Sequence, residues 1–183
     1  LWVKSEVMER QVMRVAILTV SDRASAGQYE DRSGPALTRA IQQRLMADVV
    51  ATEIVPDDRE HIATQLRTWC DSNEIDLVIT TGGTGVAPRD LTPEATSDVI
   101  EREVPGLAEA MRAASREITP YGMLSRGIVG IRGQTMIVNL PGSPKGAIEN
   151  LRVILPVLPH ALALLKDVDT GPTSHNFHQH RTA

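Results

Sequence analysis

Apolar residues fall along this chain in two alternating rhythms. A nearly unbroken apolar run at 13–20 reads as a strand covered on both faces, and 49–55 and the short apolar run 76–79 read as further strands. Between them, Leu37, Ile41 and Leu45 within 35–46, and Ile62, Leu66 and Trp69 after Asp57, recur at helical spacing, each set marking one buried face. Downstream, the pattern predicts helices over 93–103 and 105–116, divided by Val104-Pro105-Gly106. Two strands, 127–131 and 134–140, then meet at Arg132-Gly133 in a hairpin-like pair. A last helix runs through Ile148, Leu151 and Ile154, and Pro156 and Pro159 interrupt it before the apolar run 162–165. Strands alternating with helices predict an α/β fold, a three-layer α/β/α sandwich whose central sheet is mostly parallel but mixed. Residues 1–12 read as a polar lead-in, 13–168 as a single domain, and 169–183, with three histidines, as a disordered tail.

The punctuation between these elements carries the candidate chemistry. Thr80 to Thr96 reads TTGGTGVAPRDLTPEAT, a strand end that opens into glycines. Gly82, Gly83 and Gly85 remove side chains that would keep backbone N–H groups from an anion, and they permit positive φ. The same residues also build tight turns, so glycines alone leave a structural loop open. The string is not a P-loop, having no Lys-Ser or Lys-Thr pair, and it lacks the third glycine of the dinucleotide fingerprint. Thr92 and Pro93 read as N-cap and first residue of the next helix. Asp90 adds a carboxylate that can hold magnesium against phosphates cradled by the loop.

Other strand ends repeat the theme. Ser21 and Asp22 follow the first strand, at the edge where open α/β sheets bind ligands, although a turn or cap would use them equally. Asp57 lies three residues before Glu60, the spacing of a capping box, so it reads as an N-cap, a site carboxylate or both. Ser143 and Pro144 open the last long helix, and Lys145 is either a phosphate-seeking charge or an ordinary solvated lysine. The run Glu101-Arg102-Glu103 reads as a solvated helix face.

Composition narrows the classes. With 183 residues, 42% of them hydrophobic, the chain is long enough for one well-buried core. A net charge of −4 argues against general nucleic-acid or anionic-membrane binding, and 3% aromatic residues against a base-stacking platform. Cys70 is the only cysteine, so no intrachain disulfide forms, and it reads as a buried structural thiol. No apolar run approaches the roughly 20 residues that cross a bilayer. A cytoplasmic address is expected.

Four stretches together resemble a known family. Thr80 to Thr96 is similar to the signature of the molybdopterin adenylyltransferase (MogA/MoaB) family, which includes the G domain of gephyrin. Residues 20–27 (VSDRASAG), 55–58 (VPDD) and 139–145 (NLPGSPK) resemble its other loops, in the same order. The resemblance implies the same three-layer fold, a homotrimer, and magnesium-dependent transfer of adenylate from ATP to molybdopterin with release of pyrophosphate. It implies Asp57 and Asp90 as catalytic residues and magnesium ligands. It further implies Ser21, Asp22, Gly82, Gly83, Thr84, Gly85, Ser143 and Lys145 as the phosphate- and substrate-binding set, with the molybdenum insertase acting next. Two alternatives stay open: a molybdopterin carrier without chemistry, and a pyrophosphate hydrolase like the amino-terminal domain of competence-damage-type proteins, which the chain resembles more weakly.

Overall fold

The computed structural model describes residues 12–166. The expected lead-in, except Val12, and the histidine-bearing tail lie outside them.

Six strands form one sheet: β1 (Met13–Val20), β2 (Ala47–Val55), β3 (Leu77–Thr81), β4 (Arg102–Glu103), β5 (Val129–Arg132) and β6 (Thr135–Leu140). They lie in the order β2-β1-β3-β6-β5-β4. The first four in that order run parallel, and β5 is antiparallel to both β6 and β4, so the sheet is mostly parallel and mixed. Seven helices complete the described residues: α1 (Asp22–Ser25), α2 (Ser33–Arg44), α3 (Arg59–Asp71), α4 (Thr92–Ser97), α5 (Pro105–Ile118), α6 (Pro144–Ile154) and α7 (Leu158–Leu165), with a 3-10 turn at Pro120–Leu124.

The unbroken apolar runs are explained by two cores, one on each face. Val15 and Ile17 of β1 and Leu77 and Ile79 of β3 pack with Leu37 and Ile41 of α2, Met111 of α5, Leu151 of α6 and Leu158 of α7. Their sequence neighbours Ala16, Leu18 and Val78 point the other way, onto Ile62, Leu66 and Cys70 of α3 and Ala95 of α4. Period-two alternation therefore feeds both layers, and each fully buried Leu or Ile contributes about 1.5–3 kcal/mol. Cys70 lies in the second core, where burial above all pushes its thiol up to about 12. No single helix among the described residues is long and apolar enough to cross a membrane.

Several boundaries differ from the sequence reading, and three of the differences have a clear local reason. Helix α2 starts two residues early because Asp31 accepts from the N–H groups of Ser33 and Gly34 at 2.9 and 3.0 Å. Helix α3 is capped by Asp58, whose carboxylate accepts from His61 N at 2.9 Å, so Asp57 is not the cap. Helix α4 stops at Ser97 and does not reach 103. Ile100 instead folds over β5, where a Cβ on Gly130 would come within 2.6 Å of it, and the Arg102–Glu103 charges form an exposed edge strand. A charged, two-residue edge strand discourages pairing with another chain.

Because β1, β2, β3 and β6 are parallel, their carboxyl ends and the loops that follow gather along one edge. There the strands change from apolar to polar. Thr19 donates to Asp31 at 2.7 Å and Thr81 to Pro141 O at 2.7 Å. From α2, Ser33 donates to Gly142 O at 2.7 Å. These partly buried bonds tie three of the loops together before any ligand arrives.

Candidate active site

Strand β3 runs straight into Gly82 and Gly83, whose φ angles are +105° and +61°. A Cβ on Gly82 would lie 2.2 Å from Val20 O, and one on Gly83 would lie 2.4 Å from Thr92 Oγ1. The protein's own packing therefore already demands glycine, beyond any need for an anion to approach. Thr92 is not the cap expected of it. It lies within α4, and its hydroxyl donates to Gly82 O at 2.8 Å while its N–H donates to Gly83 O at 3.1 Å. Behind it, Thr96 donates to Thr92 O at 2.8 Å, and the Asn139 amide donates to Thr96 Oγ1 and Thr80 Oγ1, both at 3.0 Å. This buried polar chain fixes the loop from behind. Toward the front, the N–H groups of Gly83, Thr84 and Gly85 make no hydrogen bond among the described residues.

Two carboxylates flank the loop. Asp57 Oδ1 would be 3.3 Å from a Cβ on Gly83, and Asp90 Oδ2 would be 2.7 Å from one on Gly85. Asp57 comes from the β2–α3 connection and is locked to Asp22 reciprocally. Asp22 N donates to Asp57 Oδ2 at 2.7 Å, and Asp57 N donates to Asp22 Oδ1 at 3.0 Å. Arg89, from the glycine loop's far end, forks onto Asp22 at 2.6 and 2.8 Å. The guanidinium's hydrogen bonds hold the Asp22 carboxyl below the usual carboxylate range. Asp57 goes the other way: burial first, then the negative charges of Asp22 and Asp90, raise it, against the Asp22 N–H that favours its ionised form. A cation beside Asp57 would relieve that tension.

Asp90 is held differently. Its Oδ2 accepts from Ala87 N at 2.8 Å, and Arg126, arriving from the segment before β5, bonds the loop's main chain.

Two hollows meet at this edge. The first, of about 580 Å³, is lined by Ser21, Asp22, Asp57, Gly82, Gly83 and Ser143 among others. The second, of about 430 Å³, is lined by Thr84, Gly85, Asp90, Tyr121, Glu149 and Asn150 among others. Gly83, Gly142 and Ser143 border both and form the ridge between them. Asp57 and Asp90 thus stand on opposite sides of the ridge. Lys145 lines neither hollow: it is 81% exposed and lies 3.8 Å from Glu149. Ser21 and Ser143 accept from Ala24 N and Gly146 N as caps of α1 and α6, and each keeps a hydroxyl proton to donate. The positive pole of α6 starts at the ridge. A larger hollow of about 830 Å³, between α2 and edge strand β2, contains none of the expected site residues.

Sequence reasoning missed Arg89, Arg126 and Asn139. Arg89 adjoins Asp90 inside the quoted string, and Asn139 is a polar residue in an apolar strand, so both left a trace. Arg126 lies in an irregular stretch and left none.

An α/β sheet whose carboxyl edge combines free loop N–H groups and a helix start with two carboxylates has the chemistry that suits phosphate esters. Residues 16–160 match the family described as a probable molybdopterin binding domain, and the chain belongs to it. It is 43% identical to the molybdopterin adenylyltransferase of Helicobacter pylori strain J99 over 156 residues, 85% of this chain and 89% of that protein. It is also 43% identical to gephyrin of Dictyostelium discoideum over 172 residues, covering 88% of this chain but only 24% of the relative. Among solved structures, the molybdopterin biosynthesis enzyme MoaB of Thermus thermophilus aligns with a TM-score of 0.80 and 51% identity, over 85% of this chain and 97% of that one.

Proposed function

We propose that this protein transfers adenylate from ATP to molybdopterin, with magnesium, releasing pyrophosphate. The observation that carries this reading is the placing of Asp57 and Asp90, from separate loops, on either side of a glycine loop with free N–H groups. The similarity to adenylyltransferases along most of their length supports it.

The attacking group is the terminal phosphate of molybdopterin, a monoester with a second pKa near 6, so it is largely dianionic at neutral pH. No strong base is required. One of its oxygens forms a bond to the α-phosphorus of ATP, the bond from that phosphorus to the β-bridging oxygen breaks, and pyrophosphate leaves with the electron pair. The protein's part is to place two anions in line and blunt their repulsion. The N–H groups of Gly83, Thr84 and Gly85 and the α6 start at Ser143 do this with fixed dipoles, and Lys145 supplies a mobile charge from the rim. Ser21 and Asp22 shape the first hollow.

No group of three or more His, Cys, Asp or Glu among the described residues forms a ready-made metal cage. Magnesium characteristically takes one or two carboxylates and completes its shell with phosphate oxygens and water, which suits Asp57 and Asp90. When bound, it neutralises charge on the phosphate oxygens. We further propose a homotrimer working in the cytoplasm and handing its product to the molybdenum insertase. The exposed apolar residues Met46, Val50 and Ile54 on and beside edge strand β2 support assembly, and light scattering of the purified protein tests it.

Incubation with ATP, magnesium and molybdopterin, followed by mass identification of products, tests the activity. Adenylyl-molybdopterin with pyrophosphate is expected. Bound but unchanged molybdopterin would favour the carrier, and cleavage of a pyrophosphate bond without transfer would favour the hydrolase.

A further inference from the structure

Arg126 makes more contacts with the glycine loop than any ion pair needs. Its own N–H donates to Thr84 O at 2.9 Å, and its Nε donates to Gly85 O at 2.6 Å. Its Nη2 donates to Asp90 O, and the outer guanidinium nitrogens meet the Glu94 carboxylate in the first turn of α4. One residue therefore grips the loop where it leaves the glycines and again where it returns to the helix. Only a planar fork with several fixed donors reaches all these acceptors at once, and a lysine ammonium does not. Arg126 lines neither hollow at the site, so it reaches the chemistry only through the loop. The loop carries Asp90, whose carboxylate is braced from within by Ala87 N.

We propose that Arg126 is a positioning residue that clamps both ends of the segment from Thr84 to Asp90 and thereby holds the Asp90 carboxylate at the wall of the second hollow. The inference rests on the transferase reading. Glu94 anchors the clamp from below, its carboxyl held low chiefly by its hydrogen bond to Arg126. A comparable fork, Arg132 onto Asp71 at 2.8 and 3.0 Å, grips no loop at the site and serves as the control.

The test measures turnover of the full chain with ATP, magnesium and molybdopterin for Arg126→Lys, Arg132→Lys, Asp90→Asn and the double variant Arg126→Lys/Asp90→Asn. A misplaced group can cost on the order of a hundredfold, so Arg126→Lys is expected to lower kcat at least about tenfold while the KM for molybdopterin stays within about threefold. Arg132→Lys stays within about twofold of wild type. With Asp90 already replaced, Arg126→Lys costs no more than about twofold further, since coupled residues are not additive. A loss no larger than that of Arg132→Lys, or the same fold loss in both backgrounds, overturns the proposal. Hydrogen exchange gives the readout independent of activity: the amides of Ala87 and Asp90, bonded within the loop, exchange faster in Arg126→Lys while β1 and β3 keep their protection. Should Arg126→Lys fail to fold, Glu94→Gln takes its place, with a smaller kcat loss and the same localised exchange. A wild-type chain without turnover sinks the transferase reading, and the clamp is then judged by exchange alone, where unchanged protection of the Ala87 and Asp90 amides overturns it.

Discussion

Asp57 and Asp90 face the same glycine loop from opposite sides, yet they are held by opposite means. Asp57 is braced by another carboxylate: it trades N–H bonds with Asp22, and only Asp22 receives a guanidinium. Its charge is left partly buried and uncompensated, so its pKa rises. Asp90 sits in a segment gripped by a guanidinium at the main chain, and its carboxylate makes no ion pair among the described residues. One wall holds electrostatic tension that only a cation would relieve. The other supplies rigidity.

The largest expected effect is on the rigid wall. Asp90→Asn keeps the loop geometry, since its side-chain oxygen still accepts from Ala87 N, but removes the charge. It should lower turnover by about a hundredfold with molybdopterin affinity little changed, because the charge matters most at the transition state. Full activity at ordinary magnesium would remove Asp90 from the chemistry.

Next comes the loop that both walls share. Gly83→Ala pushes a Cβ into Thr92 Oγ1 at a positive φ, at a cost of about 1–3 kcal/mol, and should weaken molybdopterin binding about tenfold or more by calorimetry. A folded variant with unchanged affinity would place the phosphate elsewhere, around Ser21, Ser143 and Lys145.

On the tense wall, Asp57→Asn should reduce turnover about tenfold while the melting temperature holds or rises, since the neutral amide escapes the burial cost. A lower melting temperature would show that the charge is stabilising. The same contrast orders the acid behaviour. The folded-state pKa of Asp57 lies above its unfolded value, so its ionisation costs stability as pH rises through that range. Asp22 lies below its unfolded value, so its pairing stabilises above the usual carboxylate range and is lost as pH falls through the folded value. Asp57 should therefore protonate first on acidification, and Asp57→Asn should remove the acid limb of the turnover profile. A limb that survives belongs to another group.

The smallest effect separates cap from site. Asp58→Ala removes the true N-cap of α3 and should lower the melting temperature slightly with turnover unchanged. Loss of activity in a folded Asp58→Ala would reopen the assignment of roles between these neighbouring aspartates.

The three layers of this protein and its mostly parallel, mixed sheet were legible in the chain, whereas the edge strand Arg102–Glu103 was not. Unbroken runs at β1 and β3 require cover on both faces, and helical spacing at Leu37, Ile41, Ile62 and Leu66 supplies it, so local pattern and layer agree. The glycine string and its aspartates were equally visible, because each lies beside a recognisable strand end. What only the tertiary structure decided is which group each residue meets. Capping-box spacing points to Asp57, three residues before Glu60, yet the cap is Asp58, while Asp22, thirty-five positions away, engages the Asp57 carboxylate. Thr92 reads as a cap until Gly82 O, ten positions earlier, takes its hydroxyl. Arg126 has no local role at all and gains one only when β5 brings it beside the loop. Periodicity reports which side of an element is dry, a short-range property, whereas a hydrogen bond between distant loops depends on positions set by the whole sheet.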